Sequence, residues 1–156
     1  MRWITFFSAL LISIFLFIAA YGKFFYPAEK LKHLDILTSV FEIGLIIFLF
    51  VFRMRAWGWL IAAVIFASWG GYAIYWCCLK LPCSCLGSMV ALPSGYAVAL
   101  DFLFLIVSCA MSFLLGARRS MIYCIVLCAL LCGLVGYAFA EWVFYEKIVG
   151  VTWRLY

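Results

Sequence analysis

Residues 3–21, WITFFSALLISIFLFIAAY, contain no charged residue and no proline. A helix crossing a hydrocarbon core of ~30 Å, at ~1.5 Å per residue, needs about 20 such residues. This stretch is therefore read as a bilayer-spanning helix. Arg2 in front and Ala19-Ala20 near its end also resemble a secretory signal peptide. The apolar run is longer than a signal core and no clean cleavage pattern follows it, so a retained helix is expected.

The rest of the chain agrees with lipid as the solvent. Of its 156 residues, 71% are hydrophobic and 11% charged. A soluble domain is about half apolar and about a quarter charged. No soluble core of this length hides so much hydrocarbon. The formal charge of +5 is spread over short loops, which points to membrane topology and away from nucleic-acid binding.

Working outward, Gly22–Pro27 ends the first span, and Ala28–Asp35 reads as a short interfacial helix carrying mixed charges. Ile36–Phe52 is a second span, interrupted by Glu42 and closed by Arg53 and Arg55. Ala56–Trp76 is a third, with Ala63, Ala67 and Gly71 four residues apart on one smooth face suited to close helix packing. Pro93-Ser94-Gly95 opens a fourth, Tyr96–Gly116, which contains Asp101 and ends at Arg118-Arg119. Met121–Phe144 is a fifth, followed by a short tail. The fold class is thus an all-α integral membrane protein, one domain over residues 1–156. Arginines without acids at positions 2, 53, 55, 118 and 119 place the N-terminus and two short turns in the cytoplasm. The segment after the third span then faces outward, which implies an inner (plasma) membrane protein with an extracytoplasmic loop.

That loop holds half of the chain's 8 cysteines: Cys77, Cys78, Cys83 and Cys85, bracketed by the turn residues Pro82 and Gly87. Only Ser84 separates Cys83 from Cys85, and a disulfide in so tight a ring is strained and exchange-prone. Three chemistries fit these sulfurs. They are thiol–disulfide exchange, structural disulfides in any of three pairings, and a soft-metal site for copper or zinc with Met89 nearby. The spacing is unlike that of ordinary zinc modules.

Glu42 and Asp101 are acids inside apolar spans, where an unpaired charge costs at least ~2.5 kcal/mol. Counted from the predicted span ends, both lie ~8–10 Å below the outer surface. That depth sets them beneath the cysteines, where they could pass protons to a cysteine pair. The alternative is assembly, with Glu42 paired to Lys23 and Asp101 bonded to neighbouring hydroxyls. Cys124, Cys128 and Cys132 form, with Gly136 and Ala140, a stripe of small residues for packing, and Cys109 reads as a small buried apolar residue. His33 is expected to be solvated. Trp69, Tyr72, Tyr75 and Trp76 form an aromatic interface belt, with a flat quinone among them as the sharper alternative.

The chain resembles the MauE/DoxX-like family of redox-associated membrane proteins. The resemblance is carried by Ala20-Tyr21-Gly22-Lys23-Phe24-Phe25-Tyr26-Pro27, by Phe41-Glu42-Ile43-Gly44, and by Cys83-Ser84-Cys85-Leu86-Gly87 after the third span. It covers residues 5–117. It implies a four-helix bundle over residues 1–117, to which residues 118–156 add a fifth helix and a tail. It further implies thiol–disulfide exchange with a thioredoxin-like extracytoplasmic partner, or a non-catalytic membrane subunit or assembly factor for a periplasmic redox enzyme, within an oligomer or a complex with other membrane subunits. By position, Cys83 and Cys85 match the motif cysteines and Glu42 the intramembrane acid. Ser84 and Leu86 depart from the family's glycine and phenylalanine. Cys77-Cys78 are additional, and the resemblance makes them a second pair able to relay electrons to the first.

Overall fold

The computed structural model describes residues 1–27, 32–81, 93–117 and 119–145, without the side chains of residues 119–122, 124 and 125. Among these residues the chain forms helices and no strand: α1 (Arg2–Phe25), α2 (Lys32–Phe52), α3 (Ala56–Cys78), α4 (Ser94–Leu114) and α5 (Arg119–Val143). All 5 are long and apolar enough to cross a membrane. In hydrocarbon every backbone N–H and C=O must find its partner within the protein, which leaves uninterrupted helices as the solution for such segments. The chain is a multi-pass membrane protein.

Helix boundaries differ from the sequence expectation by up to four residues; α1 runs on through Gly22 and Lys23, read as its end, to Phe25, and two further differences bear on the site. Lys32–Asp35, read as part of a separate interfacial helix, instead form the first turns of α2, while residues 28–31 lie outside the described set. Hydropathy stops where charges begin, but helical hydrogen bonding does not. At the other boundary, α3 runs on through Cys77 and Cys78, so these two cysteines belong to a helix end and not to the loop. The stop comes two residues later. Lys80 N–H donates to the Cys77 carbonyl (3.0 Å) and Leu81 N–H to the Trp76 carbonyl (3.1 Å), with Lys80 in the left-handed region at φ 55°. This pair of bonds is a Schellman ending. α4 closes identically, with Gly116 at φ 87° in the left-handed position.

α1 and α2 form an antiparallel pair, and α3 is the helix the others gather round. Contacts of α1 with α2, α2 with α3, α3 with α4 and α4 with α1 close a ring of four, and α5 packs on α3 from outside it. α1, α2 and α4 each bury one stripe at three- and four-residue spacing, whereas α3 is buried on several faces. On α1 it is Thr5, Ala9, Ile12, Leu16, Ala20 and Lys23; on α4 it is Ser94, Ala97, Phe104, Ser108 and Met111. Ile12, Leu16, Leu45, Leu49, Trp59 and Phe66 fill the centre. Trp59 is fully buried, and its indole N–H donates to the Arg53 carbonyl at 2.8 Å. The outward faces stay apolar, with Phe7, Phe17, Ile47 and Ile106 exposed, as a lipid-facing surface requires.

The α3–α5 seam is built on absent side chains. A Cβ on Gly71 would overlap the Gly133 carbonyl, and one on Gly136 would overlap the Ser68 carbonyl. Ala67 and Gly71 thus serve the close packing their spacing suggested. On α5 the seam runs through Gly133, Gly136 and Ala140, whereas Cys128 is exposed and Cys132 half-buried. The expected cysteine stripe therefore contributes only its glycine–alanine end, and the Cys124 side chain is outside the described set. Cys109 is also exposed, contrary to its reading as a buried residue. Ser108, one position and ~100° round the helix, takes the inward place.

A polar cavity beneath the α3 C-terminus

Three helices deliver ionisable side chains to one cavity of about 380 Å³ in the half of the bundle nearest the end of α3. α2 contributes Asp35, Thr38 and Glu42, whose three- and four-residue spacing puts them on one face. α1 contributes Lys23 and α4 contributes Asp101. The walls are aromatic: Phe15 from α1, Phe66, Trp69 and Tyr72 from α3, Phe104 from α4 and Phe139 from α5.

Lys23 and Glu42 form a buried ion pair, with Nζ donating to Oε1. Side chains on a helix lean toward its N-terminus. On the antiparallel pair α1–α2 this tilts Lys23 inward and Glu42 outward, so their ends meet. Lys23 is 9% exposed and Glu42 3%, so neither charge keeps a useful hydration shell and each depends on the other. The second Glu42 oxygen, Oε2, is buried with no hydrogen-bond partner. Asp101 is half-buried and lies within the electrostatic reach of both Lys23 and Glu42. Thr38 is already committed, donating to the Leu34 carbonyl at 2.9 Å.

The two intramembrane acids singled out in the sequence do share a site. Glu42 lies ten residues past Lys32 and Asp101 seven past Ser94, about 15 and about 10 Å at the helical rise. No hydroxyl bonds to Asp101 among the described residues, whereas the Lys23 partnership for Glu42 is present. Asp35 escaped notice as a site residue because it lies in a charged stretch. Its signal was the spacing of 35, 38 and 42.

The aromatic belt divides into two groups. Tyr75 and Trp76 are buried in the α3–α5 seam, where Tyr75 meets Tyr137 at 5.1 Å between ring centroids and Trp76 meets Phe144 at 6.0 Å. Trp69 and Tyr72 line the cavity, and Tyr72 also meets Trp76 with ring centroids 6.0 Å apart.

Cys77 and Cys78 are free, exposed thiols at the end of α3. They stand five and six residues beyond Tyr72 of the cavity wall, ~8–9 Å along the axis. Cys83, Cys85 and Met89 lie outside the described residues. His33 is exposed, and no three His, Cys, Asp or Glu side chains converge as metal ligands among the described residues. No protein-family model, curated protein or solved structure matches the chain.

An ionised carboxylate accepts hydrogen bonds and donates none. The cavity therefore presents an unfilled acceptor at Glu42, a second acid at Asp101, and one ammonium already engaged. Such a site can hold a donor or pass a proton.

Proposed function

We propose that the chain is a membrane thiol–disulfide redox protein, working in the plasma membrane with a thioredoxin-like partner on the side where α3 ends. The observation that carries this reading is the pair of exposed, free thiols of Cys77 and Cys78 on the rim above a cavity that gathers Lys23, Glu42 and Asp101. The resemblance of residues 20–27, 41–44 and 83–87 to MauE/DoxX-like proteins supports it and supplies the motif pair Cys83 and Cys85.

The exchange itself is balanced between the two dithiol–disulfide couples. A thiolate of the loop attacks one sulfur of the partner's disulfide, forms the mixed disulfide and releases the partner's other thiolate. A second loop thiolate then attacks its neighbour's sulfur, closes the loop disulfide and frees the partner as a dithiol. Two electrons pass to the partner, and the two protons lost by the loop thiols are taken up by the partner's thiolates. Run backwards, the same steps oxidise the partner. Glu42 and Asp101 serve as the nearby proton carriers.

The test is a trap. With Cys85→Ser, or Cys83→Ser, the surviving motif cysteine cannot be resolved and a mixed disulfide with a thioredoxin-like protein accumulates on non-reducing gels. The loop disulfide of the unaltered protein should titrate at a mid-range potential. A potential below about −300 mV with no adduct describes a structural brace. Tetrathiolate metal with no disulfide under oxidising conditions defeats both readings.

A further inference from the structure

The cavity is built to receive something, and its chemistry says what. We propose that it binds a lipophilic amine: a protonated N–H head attached to a flat apolar body. This goes beyond the redox reading and does not rest on it.

Glu42 is the first reason. Its Oε1 is engaged by Lys23, while Oε2 is buried without a partner in the lining of the cavity. A buried polar atom left unpaired is costly, and more so when it belongs to a charged group. A ligand that donates a hydrogen bond at this point removes that cost.

Charge is the second. Lys23 and Glu42 line the cavity as a pair that is neutral as a unit, and Asp101 adds a further carboxyl among the described residues. Asp101, across the cavity on α4, is the second anchor.

Shape is the third. About 380 Å³ falls in the ordinary range for a small-molecule site, ~300–1,000 Å³. The walls offer ring faces from Phe66, Trp69, Tyr72 and Phe104. An ammonium gains cation–π energy beside such rings, and an apolar body gains burial. A quinone would leave the Glu42 oxygen unpaired, because its carbonyls are acceptors.

The experiment uses the full chain in lipid nanodiscs, with empty discs subtracted. Phenylbutylamine, its neutral analogue phenylbutanol and decylubiquinone are titrated by calorimetry. Saturable amine binding is expected, about tenfold tighter than the alcohol, equivalent to ~1.4 kcal/mol. Glu42→Gln should weaken the amine about tenfold and the alcohol less, because the alcohol also donates to this oxygen but carries no charge. Asp101→Asn, which spares the ion pair, should weaken it severalfold. Helix content by circular dichroism checks each variant, and Asp101→Asn carries the test alone if Glu42→Gln does not fold. Equal affinity for amine and alcohol would show that the charge of the head is not read and overturn the proposal. So would no saturable amine binding, amine affinity unchanged in Asp101→Asn, or decylubiquinone displacing the amine with no dependence on Glu42. Because none of these readouts involves a cysteine, failure here leaves the redox reading standing, and failure of the trap leaves this one.

Discussion

At the scale of single residues, the Lys23–Glu42 pair decides the most. Taking two charges from water costs several kcal/mol per ion, and their attraction offsets this only while both are present. Lys23→Met and Glu42→Gln should each destabilise the protein by about 3–5 kcal/mol, because each strands the other partner. The double variant should lose less than the sum of the two. Unfolding in mixed detergent, followed by helix content, measures the cycle; strictly additive losses would mean that the two groups are not coupled. The intramembrane Glu42 and its Lys23 partner were legible in the sequence, since a lone acid in an apolar run demands a partner or a function. Asp35 was not, because a carboxyl among charges carries no such signal. Cys109 was misread because the burial of a small apolar residue depends on helix rotation, which one side chain does not reveal.

At the scale of elements, the seam between α3 and α5 rests on glycine. Lipid gives little hydrophobic drive between helices, so close backbone approach and dispersion hold them together. Gly71→Val and Gly136→Val put methyl groups where the facing backbone carbonyls of Gly133 and Ser68 already lie. A carbonyl cannot rotate aside as a side chain can, so α5 must move away. Each change should cost about 1–3 kcal/mol and lower the thermal midpoint measured in bicelles. Gly44→Ala and Gly95→Ala, with nothing within 4 Å of an added Cβ, should leave it unchanged. If Gly136→Val matched those controls, α5 would not be seated as described. The number of spans and the small face of α3 could be read from spacing, as could most helix ends. The partner of that face could not. Tyr75 and Trp76 read as headgroup anchors because aromatic rings at a span end usually are, and only the approach of Tyr137 from α5 and of Phe144 just after it turns them into core. Tertiary neighbours are invisible to hydropathy.

At the scale of the whole molecule, the remaining question is which compartment the cavity end faces. The helices alternate, so the N-terminus, the α2–α3 turn and the α4–α5 turn share one side, and Thr5 Oγ1 lies 3.3 Å from Met54 Sδ at that end. Arg2, Arg53, Arg55, Arg118 and Arg119 are concentrated there without acids. The other six basic residues, Lys23, Lys30, Lys32, Lys80, Lys147 and Arg154, are spread over longer stretches interleaved with acids such as Glu29, Asp35 and Glu146. Orientation follows the density of Lys and Arg in short segments flanking the spans and is little affected by acids, which is the basis for proposing that the arginine end is cytoplasmic. An impermeant maleimide added to intact, mildly reduced cells should therefore label a variant that keeps only Cys77 and Cys78, both exposed. In the cysteine-free background, Met54→Cys, at an exposed position beside Arg53 and Arg55, should stay unlabelled until the membrane is broken. The reverse pattern would put the thiols in a reducing compartment, where stable disulfides are rare. It would remove the oxidising setting on which exchange with an extracytoplasmic partner depends. The amine cavity would survive that reversal, since Glu42 and Asp101 hold their places in either orientation. It would then open toward the cytoplasm.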